Sequence, residues 1–261
     1  ASLTRPAYLE ADLQQIFEND NFADFTALWL LINASRFGLK GSPVSDCALE
    51  RWKESGSKEG VAARDRLRDG VEQALLALGN GFLEHPRNRE LREQIEKGEL
   101  PLQDFFTQLL RLVYRLIFML AAEDRDLLHA PNATVAARKL YSTGYSLDHL
   151  RKQSVRRAAW DRHYDKWEGL LIVFRALAKG EPLLGLPALG GLFGNDATKN
   201  LNEACLSNKS LMEAVYRLAW LKEDHRLTPV NWRDMETEEL GSVYESLLEL
   251  TPRLNGDGWR F

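Results

Sequence analysis

Pro101-Leu102-Gln103-Asp104-Phe105-Phe106-Thr107-Gln108-Leu109-Leu110-Arg111-Leu112-Val113-Tyr114-Arg115-Leu116-Ile117-Phe118-Met119-Leu120-Ala121-Ala122-Glu123-Asp124-Arg125 decides the fold class. Proline suits a first helical position, because its missing N–H would have no intrahelical partner there and its φ is already helical. From Phe105 to Leu120 apolar side chains fall on almost every side of the helix. A helix with so little polar face must be covered on most sides when water surrounds the fold. The stretch therefore predicts a central core helix at about 102–125, with Arg111, Arg115, Glu123, Asp124 and Arg125 as its wet or paired positions. It does not read as a membrane span. Arg111 and Arg115 interrupt it, and the uncharged run at 116–122 is far short of the ~20 residues that cross a bilayer. The charged end, Glu123 to Asp126, has two readings: an acid–base pair, or the solvated and capping charges usual at a helix end.

Working outward, the same periodicity recurs. Tyr8, Leu9, Leu13, Ile16 and Phe17 mark one helix, broken at Asn19-Asp20-Asn21, and 22–37 a second, closed by Gly38. A long helix spans 45–79, with a break expected at Ser55-Gly56-Ser57 and a stop at Gly79-Asn80-Gly81. A short polar helix follows at 88–97. Beyond the central helix, 134–141, 147–160 and 165–179 read as helices. Residues 180–194 form the Gly/Pro-rich stretch, apolar enough for a packed loop. Ser207 caps a helix running to about 220. Residues 230–235 are extended, and 237–250 form a last helix. Thr237 caps it, Leu240, Val243, Tyr244, Leu247, Leu248 and Leu250 give it an apolar face, and Pro252 ends it. No strand-rich region and no helical-repeat period is visible. The expectation is an all-α, irregular multi-helix domain around the 102–125 helix, one domain over 1–261 with a weak boundary near 180–195.

The 261 residues are 44% hydrophobic and 28% charged, with a formal net charge of −4. That composition is ordinary for a globular chain and carries no global basic signal for nucleic acid. Cys47 and Cys205 stand far apart without a CxxC, and read as reduced thiols of a cytoplasmic protein. No signal peptide is visible, and no membrane partner is expected.

The missing chemistry is informative. There is no GxxxxGK[ST] or GxGxxG phosphate loop. The glycines at 185, 190, 191 and 194 have the wrong spacing for either. Five scattered histidines make no HExxH or Cys/His cluster, and no GxSxG elbow occurs. No lysine has an acid two residues before it, which the common nuclease core needs. No Pro-Pro dipeptide occurs, which an amino-methyltransferase catalytic loop needs. No catalytic, cofactor-binding or metal residue is expected in this chain.

One constellation points to binding. Residues 138–166 hold eight basic side chains (Arg138, Lys139, Arg151, Lys152, Arg156, Arg157, Arg162, Lys166) against three acids, a balance of +5 in an acidic chain. Tyr141, Tyr145, Trp160, Tyr164 and Trp167 are interleaved or adjacent. Cations neutralise phosphates, and aromatic and guanidinium planes stack on bases. With 147–160 read as one helix, Lys152, Arg156 and one of Arg151 or Arg157 share a face. The expected DNA-backbone contacts are Arg151, Lys152, Arg156, Arg157, Arg162 and Lys166. The plainer reading is a solvated face paired with neighbouring acids.

Several stretches carry a resemblance. They are Phe25-Thr26-Ala27-Leu28-Trp29-Leu30-Leu31 ending in Ser35-Arg36-Phe37; Leu67-Arg68-Asp69-Gly70-Val71-Glu72-Gln73-Ala74-Leu75; Leu110 to Phe118 followed by Ala122-Glu123-Asp124-Arg125; Gly144-Tyr145-Ser146-Leu147; Leu184 to Phe193; and above all Glu239-Leu240-Gly241-Ser242-Val243-Tyr244-Glu245-Ser246-Leu247-Leu248-Glu249. Together they resemble the helical region ahead of the catalytic domain in large adenine-specific DNA methyltransferases, the type IIG-like restriction–modification and phage-defence methylases. The resemblance implies a parent protein that methylates the N6 amino group of adenine in duplex DNA. It implies S-adenosylmethionine as that parent's cofactor, bound by an adjoining methyltransferase domain expected after residue 261. That domain's Gly-Ser-Tyr-Tyr-Thr-Pro and Asn-Pro-Pro-Tyr segments do not occur here, so no catalytic or cofactor residue carries over. Tyr244, Leu247 and Leu248 are the expected domain junction. Two functions are therefore expected in competition. One is an accessory region that braces the catalytic domain and grips DNA. The other is a scaffold that docks a neighbouring domain or defence-complex subunit without touching nucleic acid.

Overall fold

The computed structural model describes residues 11–38, 41, 43–223, 226–233, 235, 241, 245, 252–255 and 258–260. The fold is all-α in character, with two short β ribbons. The chain divides into two compact units, Ala1–Asp65 and Arg66–Phe261. The division falls within one long helix.

The first unit holds α1 (Leu13–Glu18), α2 (Phe22–Ile32) and the beginning of α3 (Ala48–Glu84). Asp12 caps α1 through the amide of Gln15, and Asn21 caps α2 through that of Asp24. Asp20, at φ 48°, makes the turn between them, a left-handed conformation that aspartate tolerates better than most residues. The second helix is shorter than the 22–37 expected, because Asn33 turns extended and residues 34–36 form a 3₁₀ turn. No residue of α2 is buried.

The expected break at 55–57 and stop at 79–81 are both absent, since α3 runs unbroken from Ala48 to Glu84. Ser-Gly-Ser lowers helix propensity by roughly 1–2 kcal/mol in sum but does not forbid a helix as proline does. At Gly81 the glycine serves packing. A Cβ there would strike the side chain of Ser210 and come 2.8 Å from Leu206 Cδ1. At Gly70 a Cβ would sit 2.6 Å from the backbone oxygen of Arg217. Three turns apart on one face of α3, the two glycines let α10 (Asn208–Ala219) approach closely, against its backbone at Gly70 and the Ser210 side chain at Gly81. Gly81→Ala is expected to lower stability by about 2 kcal/mol in urea unfolding, overpacking outweighing a propensity gain of about 1 kcal/mol. An unchanged midpoint would mean that the helices yield.

In the second unit α3 ends where Pro86 blocks continuation. Its last carbonyls are satisfied from α4 (Arg89–Glu96) and its cap. Asn88 Nδ2 donates to Phe82 O and Cys205 O, both at 2.7 Å, and Arg92 Nη1 donates to Leu83 O and His85 O, both at 2.8 Å. The central helix is α5 (Leu102–Asp124), within a residue of the expected span. Twelve of its residues are buried, and it packs against α7 (Leu147–Ser154), α9 (Lys199–Glu203) and α10. It is the one described helix long and apolar enough to cross a membrane, but 78% of its apolar window is buried within the fold. The protein interior accounts for its apolarity.

Helices α6 (Val135–Gly144) and α8 (Asp165–Lys179) complete the second unit. The 180–194 stretch is packed, as expected. Glu181 and Leu186 pair through two backbone hydrogen bonds, Leu184, Leu186 and Phe193 are buried, and the Phe193 ring meets Phe118 and Phe174. Ser207 caps α10, also as expected. The strands were not expected. β1 (Trp220–Glu223) pairs antiparallel with β2 (Arg226–Pro229), and β3 (Arg253–Asn255) with β4 (Gly258–Arg260). Segments of three or four residues are too short to show an alternation. The 237–250 helix with its junction residues Tyr244, Leu247 and Leu248 lies outside the described residues, apart from helical positions at Gly241 and Glu245.

Candidate nucleic-acid interface

The basic segment begins on α7, whose start is fixed by two caps. Ser146 accepts from the His149 amide, and Glu123, from the end of α5, takes the amides of Leu147 and Asp148 at 2.7 Å each. α7 stops at Ser154, short of the 160 expected. The reason lies in two tryptophans. Trp160 Nε1 donates to Ser154 O at 2.9 Å, and Trp220 Nε1 to Arg151 O at 3.3 Å, so indoles satisfy carbonyls that a further turn would have used. Residues 157–159 then form a 3₁₀ turn. The shared helical face expected for Lys152, Arg156 and Arg157 is therefore not formed, because the two arginines lie beyond the helix.

The six expected contacts separate by environment. Arg151 is an internal clamp: its Nη2 lies 3.1 Å from Asp124 and 2.5 Å from Asp148, and its side chain is 16% exposed. Burial alone would lower its pKa, but the two carboxylates win and hold it above the ordinary arginine value. Lys166 is 18% exposed, with Asp165 at 3.8 Å. Both are largely covered. Lys152 is 71% exposed although it pairs with Asp148 at 2.6 Å. Arg156, Arg157 and Arg162 are exposed, with Arg157 stacked 4.0 Å over the Trp160 ring. Four accessible cations thus remain within 152–162. Asp148 is held below the usual carboxylate range: burial opposes, but Lys152 and Arg151 prevail.

The loop carrying Arg162 is pinned by Asn208, which is fully buried. Asn208 Nδ2 donates to Asp161 and Asp165 at 2.8 Å each, its Oδ1 accepts from the Lys166 amide at 3.2 Å, and its own amide donates to His163 O. The Asn208 amide, foremost, holds the Asp165 carboxyl below its ordinary value. Sequence reading missed what this knot brings together. Arg162 and Tyr164 stand beside His85, Arg87 and Lys209 around a cavity of about 390 Å³. Arg87 donates to the Tyr164 hydroxyl at 2.5 Å and lies 4.7 Å over that ring. His85 Nδ1 accepts from the Arg87 amide, which puts its proton on Nε2. Burial, then Arg87 and Arg92, pushes the imidazole pKa down. Arg87 and Lys209 lay outside the 138–166 window, and nothing local to them signalled the meeting.

The acid–base reading of the Glu123 to Asp126 cluster is not supported, since each carboxylate is engaged. Glu123 takes three donors, Asp124 holds Arg151, and Asp126 holds Arg138 at 3.3 Å. Among the described residues no group of three or more His, Cys, Asp or Glu is placed to share a metal ion. Comparison with protein-family models, with curated proteins and with solved structures finds no match to this chain.

Proposed function

We propose that the chain is a helical accessory region of an N6-adenine DNA methyltransferase of a restriction–modification or phage-defence system. In this reading it braces the catalytic domain and holds the duplex by its phosphates. S-adenosylmethionine and the methyl transfer belong to the adjoining domain, and no residue here is assigned to them. The observation that carries the DNA role is the set of exposed cations Lys152, near the end of α7, and Arg156 and Arg157, at the turn held by Trp160. Preplaced cations give up little freedom on meeting phosphates, and they read backbone rather than bases. The methylase assignment is supported by the motif set in the sequence.

Replacing Lys152, Arg156 and Arg157 together with alanine is expected to weaken duplex binding on the order of 100-fold at about 50 mM salt, since each lost phosphate contact forfeits its counterion release. Fluorescence anisotropy with a labelled duplex reads this. Unchanged affinity would remove the strip from the interface.

A second reading has its own observation. Phe22 is 76% exposed, Phe17 69%, Trp29 and Leu30 each 57%, so α1 and α2 carry an uncovered apolar face of the kind that docks a partner. In the scaffold reading this face takes the neighbouring domain or a defence-complex subunit. Its test is Trp29→Ser with Leu30→Ser. Loss of association with the separately produced methyltransferase domain, in sedimentation velocity, supports docking; unaltered association sinks it.

A further inference from the structure

Arg87, Arg162 and Lys209 come from three distant parts of the chain and line one cavity of about 390 Å³. Each is placed by its surroundings. Arg87 is held on the Tyr164 ring, Arg162 rides the loop tied to Asn208, and Lys209 sits in the first turn of α10 with its amide on Asp161 O at 2.9 Å. Glu84 is the one carboxylate among the lining residues, so the wall carries an excess of two positive charges with His85 neutral. Arg162 and Lys209 make no ion pair among the described residues. The volume lies within the roughly 300–1,000 Å³ of small-ligand sites and exceeds what a bare phosphate needs. Beside Gly81, Pro86, Ser207 and Ser210, the wall carries the Tyr164 ring, with the Arg87 guanidinium 4.7 Å from its centroid and the His85 ring edge-on to it at 6.0 Å.

We propose that this cavity binds a nucleotide, with its phosphate on Arg162 and Lys209 and its base against the Arg87–Tyr164 stack. Guanidinium and ammonium groups recognise phosphate oxygens, and a guanidinium plane backed by an aromatic ring stacks on a base. The nucleotide arrives free or as an unpaired position of a strand. Both present the same chemistry, a phosphate next to an aromatic base. The site does not require the duplex contact proposed for 152–157.

The test is a calorimetric titration of the whole chain with adenosine 5′-monophosphate, inorganic phosphate, adenosine, and a short single strand bearing a 5′-phosphate. The expected result is saturable binding of the monophosphate, at about millimolar Kd or tighter, with adenosine and inorganic phosphate each weaker. Arg162→Ala and Lys209→Ala each weaken it about tenfold, Glu84→Gln tightens it, and the Lys152/Arg156/Arg157 triple variant leaves it unchanged. Tighter binding of the phosphorylated strand assigns the nucleotide to a nucleic-acid source, and equal binding to a free one; either sustains the site. The proposal is overturned if neither phosphorylated ligand binds saturably at low salt, if inorganic phosphate binds as tightly as the nucleotide, or if Arg162→Ala and Lys209→Ala change nothing. Loss of duplex binding with nucleotide binding intact would strike the DNA reading alone.

Discussion

Arg115→Ala is expected to lower the stability of the second unit by about 3–5 kcal/mol, the largest single effect in the molecule. The side chain rises from the middle of α5 and is 1% exposed. Three of its donors find neutral oxygens rather than a carboxylate: Nε donates to Leu192 O at 2.8 Å, Nη2 to Gly194 O at 2.8 Å, and Nη1 to Thr198 Oγ1 at 2.6 Å. The rings of Phe174 and Phe193 lie 5.2 and 5.8 Å from its guanidinium carbon. The charge is thus met by oriented dipoles and ring faces. Burial, then Arg111, brings its pKa down to about 10, so the group remains cationic at neutral pH. Alanine would leave the buried Thr198 hydroxyl and two part-buried carbonyls without these donors, and would leave a cavity beside two rings. Thr198 continues the chain of bonds by donating to Asn202 at 3.1 Å, so the loss spreads to α9 and its approach. Lysine cannot replace the fan of donors, since one ammonium does not reach three divergent acceptors in a plane. Urea unfolding followed by tryptophan fluorescence measures the loss. An Arg115→Lys midpoint equal to wild type would contradict this role.

Glu123→Ala follows, at about 2–4 kcal/mol. One carboxylate at the end of α5 takes the Tyr141 hydroxyl at 2.5 Å and the first two amides of α7 at 2.7 Å each, binding three helices. An acid at a helix start also interacts favourably with the positive end of the helix dipole. Gln retains an acceptor oxygen for Tyr141 and Leu147 but turns an N–H₂ toward the Asp148 amide, so about half the loss is expected for Glu123→Gln. The pH dependence separates charge from geometry. Burial pushes the carboxyl above its ordinary value, more than the Tyr141, Leu147 and Asp148 donors pull it down. A carboxyl raised in the folded state contributes most below its unfolded value and loses that contribution as pH rises through the folded one. The advantage of Glu123 over Gln is therefore larger near pH 4 than near pH 7. The opposite trend in paired unfolding curves would reverse the sign of the shift.

The residues explain which features could be read in advance. Helix α5 was legible because its apolar residues leave so little polar face that only burial on most sides satisfies them. Ser207 and the 165–179 helix were legible from local capping and periodicity. Gly81 misled because a glycine that admits a neighbouring helix looks, in sequence, like one that ends its own. Trp160 and Trp220 misled because an indole that caps a carbonyl six or sixty-nine residues away leaves no local trace. The candidate site divides in the same way. A charge count over 138–166 gathered the exposed Lys152, Arg156, Arg157 and Arg162 together with Arg151, which Asp124 holds from another helix. Counting cannot find Arg87 and Lys209, because only the Asn208 knot brings the loop that bears Arg162 to them.

The salt dependence of duplex binding by the intact chain tests the proposed DNA-holding role. With the strip contacting about three phosphates, log K against log salt concentration is expected to fall with a slope of about −3, equal for two duplexes of unrelated sequence. The Lys152/Arg156/Arg157 variant is expected to bring that slope close to zero. A flat salt dependence in the unaltered chain, or no binding of either duplex at about 50 mM salt, would contradict it.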